Sequence, residues 1–201
     1  MNIAVLVSGR GSNLQAMIDS IENGYLNARI SVVVSDDGDA YALERARKHG
    51  IEAVFVDPEK YSSKDLYEKQ VLAVLRKHNV ELILLAGYMK ILGKTLLSAY
   101  KDCILNIHPA LLPSFAGLHA QKQAFDYGVK VAGCTVHFVD EKLDGGAIIL
   151  QRCVEVKDDD TDETLADRIL EQEHKIYPEP VQLFVENRLR IEGRKVKILR
   201  S

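Results

Sequence analysis

The chain has 201 residues, of which 47% are hydrophobic and 27% charged, and its formal net charge at pH 7 is −3. This composition is typical of a globular protein with one full-sized domain, and it lacks the basic excess of proteins that bind nucleic acid or membrane surfaces. The apolar run 82–86 is too short to span a bilayer. Because the chain starts directly with a predicted strand, without the layout of a signal peptide, we expect a cytoplasmic protein that binds neither nucleic acid nor membrane.

The first half of the chain alternates strand and helix signals. Continuous apolar runs predict buried strands, whereas apolar residues three and four positions apart predict helices. In chain order we predict strand 3–7, helix 13–22, strand 30–34, helix 41–49 ended by Gly50, strand 53–56, helix 63–79 and strand 82–86. This alternation predicts a parallel sheet with right-handed crossovers.

The second half has a different pattern, with two strands that no helix separates. We predict strand 104–107, helix 121–127, antiparallel strands 131–139 and 147–156, helix 161–176 and a terminal hairpin around Gly193. Asp160 is the expected N-cap of the last helix, with Glu163 completing a capping box, and Pro178 and Pro180 end or interrupt that helix. We therefore predict an α/β fold: a doubly wound, Rossmann-like, mostly parallel sheet mixed with antiparallel strands in the C-terminal half. No linker separates the halves, so residues 1–201 are expected to form one domain.

An amide and an imidazole end the strand predicted at 104–107. Asn106 and His108 are two residues apart, which places them on the same side of an extended strand, and the following prolines force the chain into a loop. Open α/β sheets bind their ligands at such strand ends. Asp144 follows a second strand-like run and could approach His108 if the two strands pair, which would raise the pKa of the imidazole. These three residues are therefore candidates for oxyanion stabilisation and proton transfer.

The remaining histidines and the cysteines have simpler interpretations. His119 and His137 are competing candidates for the catalytic imidazole, although His137 also fits a satisfied residue within a strand. No histidine or cysteine spacing is typical of zinc, so we expect no metal. Cys103, Cys134 and Cys153 lie within apolar runs, which predicts buried free thiols in a reducing compartment.

The segment 8–14, with the sequence SGRGSNL, joins the first predicted strand to the first helix. Its two glycines let the backbone approach a ligand closely, and the helix start offers free N–H groups to an anion. Ser12 and Asn13 add hydroxyl and amide donors, which suits a phosphate monoester. The alternative is an ordinary tight turn in which Ser12 or Asn13 is the N-cap.

Two other nucleotide-binding motifs are incomplete in this chain. The dinucleotide fingerprint needs glycine at position 14, which is leucine here, but Asp36 and Asp37 could imitate its ribose-binding acid and keep NAD as an alternative. The segment 87–95 resembles a P-loop with five residues instead of four between its glycines. Its bulky residues at 89–92 fit an apolar wall for a flat organic ligand, or packing, better than a phosphate loop.

Glu173 lies on the apolar face of the last long helix. It follows Ile169 by four residues and precedes Ile176 by three, so the three side chains point the same way. A carboxylate in such a place usually has a partner. A structural ion pair and an acceptor for ligand hydroxyls are both open interpretations.

Several of these segments together resemble the phosphoribosylglycinamide formyltransferase family, the folate-dependent transformylases of purine biosynthesis. The likeness covers nearly the whole chain and includes segments 8–14, 85–89, 106–109, 111–113, 143–146 and 173–178. The Asn-x-His-Pro and Asp-Gly-Gly elements resemble the wider superfamily, which includes methionyl-tRNA formyltransferase and formyltetrahydrofolate hydrolase. The Gly-Ser-Asn loop is the element that points to a ribonucleotide substrate.

The resemblance implies three sets of site residues. The catalytic residues would be Asn106, His108 and Asp144. The ribonucleotide would be bound through its phosphate and ribose by Gly11, Ser12, Asn13 and Glu173. The folate would be bound by Lys64, Met89, Lys90, Ile91, Leu92, Asn106, Asp140 and Asp144. The chain departs from the family pattern at Ala116, Gln121 and Leu170, and the family suggests a cis peptide at Leu112–Pro113.

The resemblance also implies a reaction. The formyl group of 10-formyltetrahydrofolate, a cosubstrate, would be transferred to the amine of glycinamide ribonucleotide, with residues 1–100 forming the phosphate-binding half and residues 101–201 the folate-binding and catalytic half. The expected partners are these small molecules, and the protein would be a monomer or a homodimer. A formyltetrahydrofolate hydrolase-like activity and a non-catalytic nucleotide-binding module are the alternatives.

Overall fold

The computed structural model describes residues 1–200, which form two compact units. The first unit is Met1–Leu105 and the second starts at Asn106, so the chain passes from one to the other within a strand. The boundary lies close to the predicted division between residues 100 and 101. That both halves belong to one domain stays a prediction.

The first unit alternates strands and helices as predicted. Its elements are β1 (Asn2–Val7), α1 (Ser12–Glu22), β2 (Arg29–Ser35), α2 (Tyr41–Lys48), β3 (Ala53–Phe55), a 3₁₀ turn (Pro58–Lys60), α3 (Lys64–Lys77), β4 (Leu82–Leu85) and α4 (Lys94–Ala99). The strand order is β3-β2-β1-β4, and all the neighbouring strands are parallel. The 3₁₀ turn and α4 are additions to the predicted elements.

The core of the first unit follows from the apolar pattern. Residues 3–7 of β1 and all four residues of β4 are buried, as their continuous apolar runs predict, and β1 is paired on both sides, with β2 and β4. In α1 the apolar face contributes Leu14, Met17 and Ile18. Ser63 caps α3, because its hydroxyl accepts a hydrogen bond from the N–H of Leu66 at 3.3 Å.

The second unit contains the antiparallel strands. After β5 (Ile104–His108), the elements are α5 (Ala120–Tyr127), β6 (Val131–Phe138), β7 (Ile148–Glu155), α6 (Asp162–Ile176), α7 (Pro178–Val185), β8 (Leu189–Glu192) and β9 (Lys195–Ile198). The strand order is β5-β6-β7-β9-β8, in which β6 and β7 are antiparallel, β7 and β9 parallel, and β8 and β9 antiparallel. The predicted α/β fold and the terminal hairpin are thus confirmed.

The ends of α6 differ from the prediction. Thr161, not Asp160, is the N-cap, and it forms a capping box with Thr164. Asp160 instead accepts two hydrogen bonds from the guanidinium of Arg168, at 2.8 and 2.6 Å, because a planar guanidinium fits a carboxylate well. Pro178 does not simply end the helical region: it is the first residue of α7, a position where the missing N–H costs nothing.

The cysteines are free, but they are not all buried. Cys134 is buried, Cys103 is half-buried and Cys153 is exposed, so the prediction is wrong for Cys153. The cross-strand partner of Cys153 is Gly133, which has no side chain to cover the thiol.

Within residues 1–200, no helix has the length and apolar character needed to cross a membrane.

Candidate active site

The three catalytic candidates lie together in the second unit. Asn106 and His108 are on β5, and Asp144 is in the turn between β6 and β7. His108 Nδ1 is 3.5 Å from Asp144 Oδ2, and the two side chains are only 5% and 9% exposed. An imidazole and a carboxylate that are both buried interact strongly, because little water screens them.

A main-chain carbonyl orients the ring of His108. His108 Nε2 lies 2.9 Å from the carbonyl oxygen of Phe115, which only accepts, so Nε2 carries a proton and donates it. Nδ1 is then the ring atom that faces Asp144, at 3.5 Å from its carboxylate.

His137, one of the two competing candidates for the catalytic imidazole, lies beside Asn106. Its Nδ1 donates to the carbonyl oxygen of Phe138 at 2.7 Å, which leaves Nε2 as the acceptor for the Asn106 amide at 3.2 Å. Burial lowers the pKa of His137 and so keeps it neutral, although Asp144 lies 3.8 Å from Nε2 and opposes this shift. His137 therefore fixes the amide of Asn106 and leaves the second amide N–H of Asn106 for a ligand.

The turn that carries Asp144 has a tightly constrained backbone. Asp144 has a left-handed conformation, with φ 49°, and its Oδ2 accepts a hydrogen bond from the N–H of Gly117 at 2.8 Å. A Cβ atom on Gly146 would lie 1.8 Å from the carbonyl oxygen of Phe138, and one on Gly145 would lie 2.4 Å from Cβ of Lys142. Only glycines fit after Asp144, so the Asp-Gly-Gly sequence has a direct steric cause.

The predicted phosphate loop lies in the first unit, at the start of α1. Gly11 is the N-cap, with φ 69°, and a Cβ atom there would lie 2.6 Å from Cβ of Ala42. The alternative in which Ser12 or Asn13 caps the helix is therefore wrong, because both residues are inside α1. The first N–H groups of this helix receive no side-chain cap from Gly11, which is the arrangement that an anion can use.

Asp36, one of the two acids on which the NAD alternative rests, already has partners within the protein. It accepts a hydrogen bond from the hydroxyl of Ser8 at 2.5 Å and lies 3.7 Å from the ammonium of Lys90. The Ser8 oxygen in turn accepts the N–H of Met89 at 2.9 Å. These bonds tie the end of β2 to the segment 89–92.

The predicted folate wall, residues 89–92, is an exposed apolar segment with fixed ends. Met89 and Ile91 are each 60% exposed, whereas Leu92 is buried. Besides the bond to Ser8, the N–H of Gly93 donates to the buried carboxylate of Glu68. Large apolar side chains on an anchored segment suit the face of a flat aromatic ligand.

The other predicted ligand-binding residues are scattered. Lys64 is the exposed first residue of α3, and Asp140 is exposed and accepts the N–H of Lys142 at 2.8 Å. Glu173 is buried on the inner face of α6, as predicted.

The charge of Glu173 acts on a neighbouring thiol. Burial, followed by the charge of Glu173, raises the pKa of the Cys134 thiol to about 12. Within residues 1–200, no cluster of three or more His, Cys, Asp or Glu side chains could hold a metal ion.

Comparison with known proteins identifies the family. A family model described as formyl transferase matches residues 1–181. Over 179 residues the chain is 45% identical to the phosphoribosylglycinamide formyltransferase of Bacillus subtilis, covering 89% of this chain and 92% of that protein. The chain belongs to the phosphoribosylglycinamide formyltransferase family.

Solved structures of formyltransferases have the same fold. The glycinamide ribonucleotide transformylase 1 of Symbiobacterium toebii is 51% identical, with a TM-score of 0.98 over 100% of this chain and 94% of that one. A formyltetrahydrofolate deformylase from Pseudomonas syringae is 27% identical, with a TM-score of 0.91, and this chain covers 66% of it. The chain is therefore similar to these two transferases over more than nine tenths of their length and to a deformylase over 66% of its length.

Proposed function

We propose that the protein transfers the formyl group of 10-formyltetrahydrofolate to the amine of N1-(5-phosphoribosyl)glycinamide, giving the N2-formyl product and tetrahydrofolate, a step in purine (IMP) biosynthesis. The identity to phosphoribosylglycinamide formyltransferases over most of both chains supports the substrates. The observation that carries the chemistry is the His108–Asp144 pair beside an Asn106 amide that His137 orients. We further propose a cytoplasmic location and a monomeric or homodimeric state.

The chemistry begins with direct attack, so that no covalent enzyme intermediate forms. The substrate amine bonds to the formyl carbon, and the carbonyl oxygen becomes an oxyanion. The free N–H of Asn106 and the positive charge of protonated His108 stabilise that oxyanion. Two contacts support this division of roles: Nε2 of His108 is bound to the carbonyl of Phe115, and Nδ1 lies 3.5 Å from the carboxylate of Asp144, which favours a positive charge on the ring.

Proton transfer completes the reaction. The attacking nitrogen becomes positively charged and must lose a proton, while the N10 nitrogen of the folate must gain one as its bond to the formyl carbon breaks. Asp144, the carboxylate beside His108, accepts the first proton and relays it, through water, to the leaving nitrogen. Protons and charge then balance without an outside acid or base.

The proposed binding residues of each substrate come from both halves of the chain. Gly11, Ser12 and Asn13 bind the phosphate at the start of α1, and Glu173 accepts the ribose hydroxyls. The folate is bound by the segment 89–92, with Lys64, Asn106, Asp140 and Asp144 as its polar contacts. The exposed apolar side chains of 89–92 and the uncapped N-terminus of α1 support these assignments.

The test is a transfer assay with both substrates, on the unmodified protein and on the variants His108→Ala and Asp144→Asn. We expect kcat to fall by roughly 10²- to 10⁴-fold in each, since each removes an acid–base or electrostatic contribution. A folded His108→Ala protein with near-normal turnover would refute the assignment of His108.

The deformylase likeness supports a second candidate function, in which water replaces the amine. Release of formate from 10-formyltetrahydrofolate, measured with and without the ribonucleotide, separates the two functions. We expect turnover to depend on the ribonucleotide. Full-rate turnover without it would overturn the transferase proposal, and binding without any turnover would support a nucleotide-binding module instead.

A further inference from the structure

The C-terminal hairpin, formed by β8 and β9, contacts the turn that carries Asp144. The guanidinium Nη1 of Arg194 donates a hydrogen bond to the carbonyl oxygen of Gly145 at 2.8 Å. The family match ends at residue 181, so this hairpin lies outside the part of the chain that matches the family model. A segment beyond that match thus holds the residue next to the proposed catalytic carboxylate.

The register of the strands explains why Arg194 reaches this place. Glu192 pairs with Lys195, which leaves Gly193 and Arg194 as a two-residue hairpin loop, and Gly193 supplies the positive φ of 62° that its first position needs. Lys195 pairs in parallel with Ile148 of β7. The residue before Lys195 therefore lies beside the residues that precede Ile148, which are those of the Asp144 turn.

The hairpin contributes little to the core. Every strand residue in 189–192 and 195–198 is half-buried or exposed. Burial of apolar surface is therefore a minor reason for the hairpin to lie along β7, whereas the Arg194 bond is directed and charge-assisted.

The bond completes the set of contacts around Asp144. Its side chain accepts the N–H of Gly117 at 2.8 Å, and the N–H of Gly145 donates to the carbonyl of Lys142 at 3.0 Å. Arg194 binds the carbonyl oxygen of Gly145, the residue that follows Asp144. Since Asp144 has a left-handed backbone conformation, its surroundings must keep it there.

We propose that Arg194 is a positioning residue for Asp144, acting through the Gly145 carbonyl. The proposal deepens the proposed function and rests on the catalytic role of Asp144. Arg194 sets the orientation of the carboxylate during turnover and leaves the binding of the ribonucleotide unchanged. A single donor makes the contact, so lysine at this position retains most of the effect.

The experiment compares Arg194→Ala and Arg194→Lys with Lys197→Ala, a control on the same hairpin whose ammonium pairs with Glu192. We expect Arg194→Ala to lower kcat roughly three- to tenfold, the range of a hydrogen bond at an exposed site, with KM for the ribonucleotide within twofold. Arg194→Lys should keep more than half of the wild-type kcat, and Lys197→Ala should equal the wild type.

A double variant separates positioning from general loosening. In the Asp144→Asn background, Arg194→Ala should lower kcat no further, because the group that Arg194 positions is already gone. A further loss of the same size there would overturn the proposal. Wild-type kcat in Arg194→Ala would overturn it as well.

Hydrogen exchange gives a measurement that does not depend on the reaction. The amides of residues 140–147 should exchange faster in Arg194→Ala than in the wild type, and at the wild-type rate in Lys197→Ala. If the unmodified protein transfers no formyl group, the proposed function fails. The exchange data then still show whether the Arg194–Gly145 hydrogen bond holds the turn at residues 140–147. Unchanged exchange in Arg194→Ala would refute the positioning role.

Discussion

Replacing Gly146 by alanine tests how closely the position of Asp144 controls turnover. The added Cβ would lie 1.8 Å from the carbonyl oxygen of Phe138, and real Cβ atoms essentially never approach a neighbour within 3.0 Å. The obstacle is main chain of β6, so the turn must move and not a flexible side chain. Because Gly146 is two residues from Asp144, the carboxylate moves with it.

The size of the effect follows from this displacement. Opening the contact from 1.8 Å to at least 3.0 Å shifts the turn by more than 1 Å. A displacement of about 1 Å at a reacting group can cost roughly 10²-fold in rate, and we expect that loss in kcat. Overpacking of this kind costs about 2 kcal/mol of stability, or roughly 4–8 °C in Tm for a chain of this length. The assays are steady-state formyl transfer and thermal unfolding.

Gly50→Ala is the matched control for lost stability. Gly50 has φ 67°, and a Cβ atom added there would have no neighbour within 4 Å, so alanine is strained but displaces nothing. It should lower stability by about 1–2 kcal/mol and leave kcat unchanged. If Gly146→Ala retained more than a third of wild-type kcat, the link between the turn and the chemistry would be wrong.

Three further predictions concern other parts of the molecule. Ser8→Ala removes the acceptor that holds the start of the folate wall and should raise KM for the formyl-folate roughly threefold to tenfold, with kcat within twofold; steady-state kinetics at varied folate checks this. His137→Ala removes the acceptor of the Asn106 amide and should lower kcat about tenfold, measured at saturating substrates. At pH 8 the exposed Cys153 should react with a thiol reagent in the folded protein. Burial raises the pKa of the Cys134 thiol to about 12, so roughly one Cys134 in ten thousand is a thiolate at this pH, and it should react only after unfolding. Mass spectrometry of the labelled protein counts the modified thiols.

The proximity of His108 and Asp144 is predictable from the sequence because it depends on strand ends. His108 ends β5, and Asp144 follows β6, the neighbouring strand, so a correct assignment of the two strands is enough to place the side chains together. The inward position of Glu173 is predictable for a similar reason, since helical periodicity alone sets its face.

Contacts made by the main chain are harder to predict. The Gly117 N–H that binds Asp144 and the carbonyl that binds His108 belong to groups that every residue carries, so no residue type marks them. The N-cap of α6 depends on a similar detail: Asp160 and Thr161 are both good caps, and the choice follows from Arg168, which binds Asp160 from within the helix.

The hydrogen bond from His108 to the carbonyl of Phe115 has a consequence for mutational scanning. No side-chain replacement at position 115 removes that acceptor, so an alanine scan would leave the proton on His108 Nε2 and pass over a residue that sets the tautomer. The position is vulnerable through its backbone instead, because Phe115 has φ 55°. Glycine there should be tolerated, and proline, whose ring holds φ near −65°, should turn the carbonyl away. A position can thus be tolerant of side-chain chemistry and still be essential for the tautomer of a histidine seven residues away.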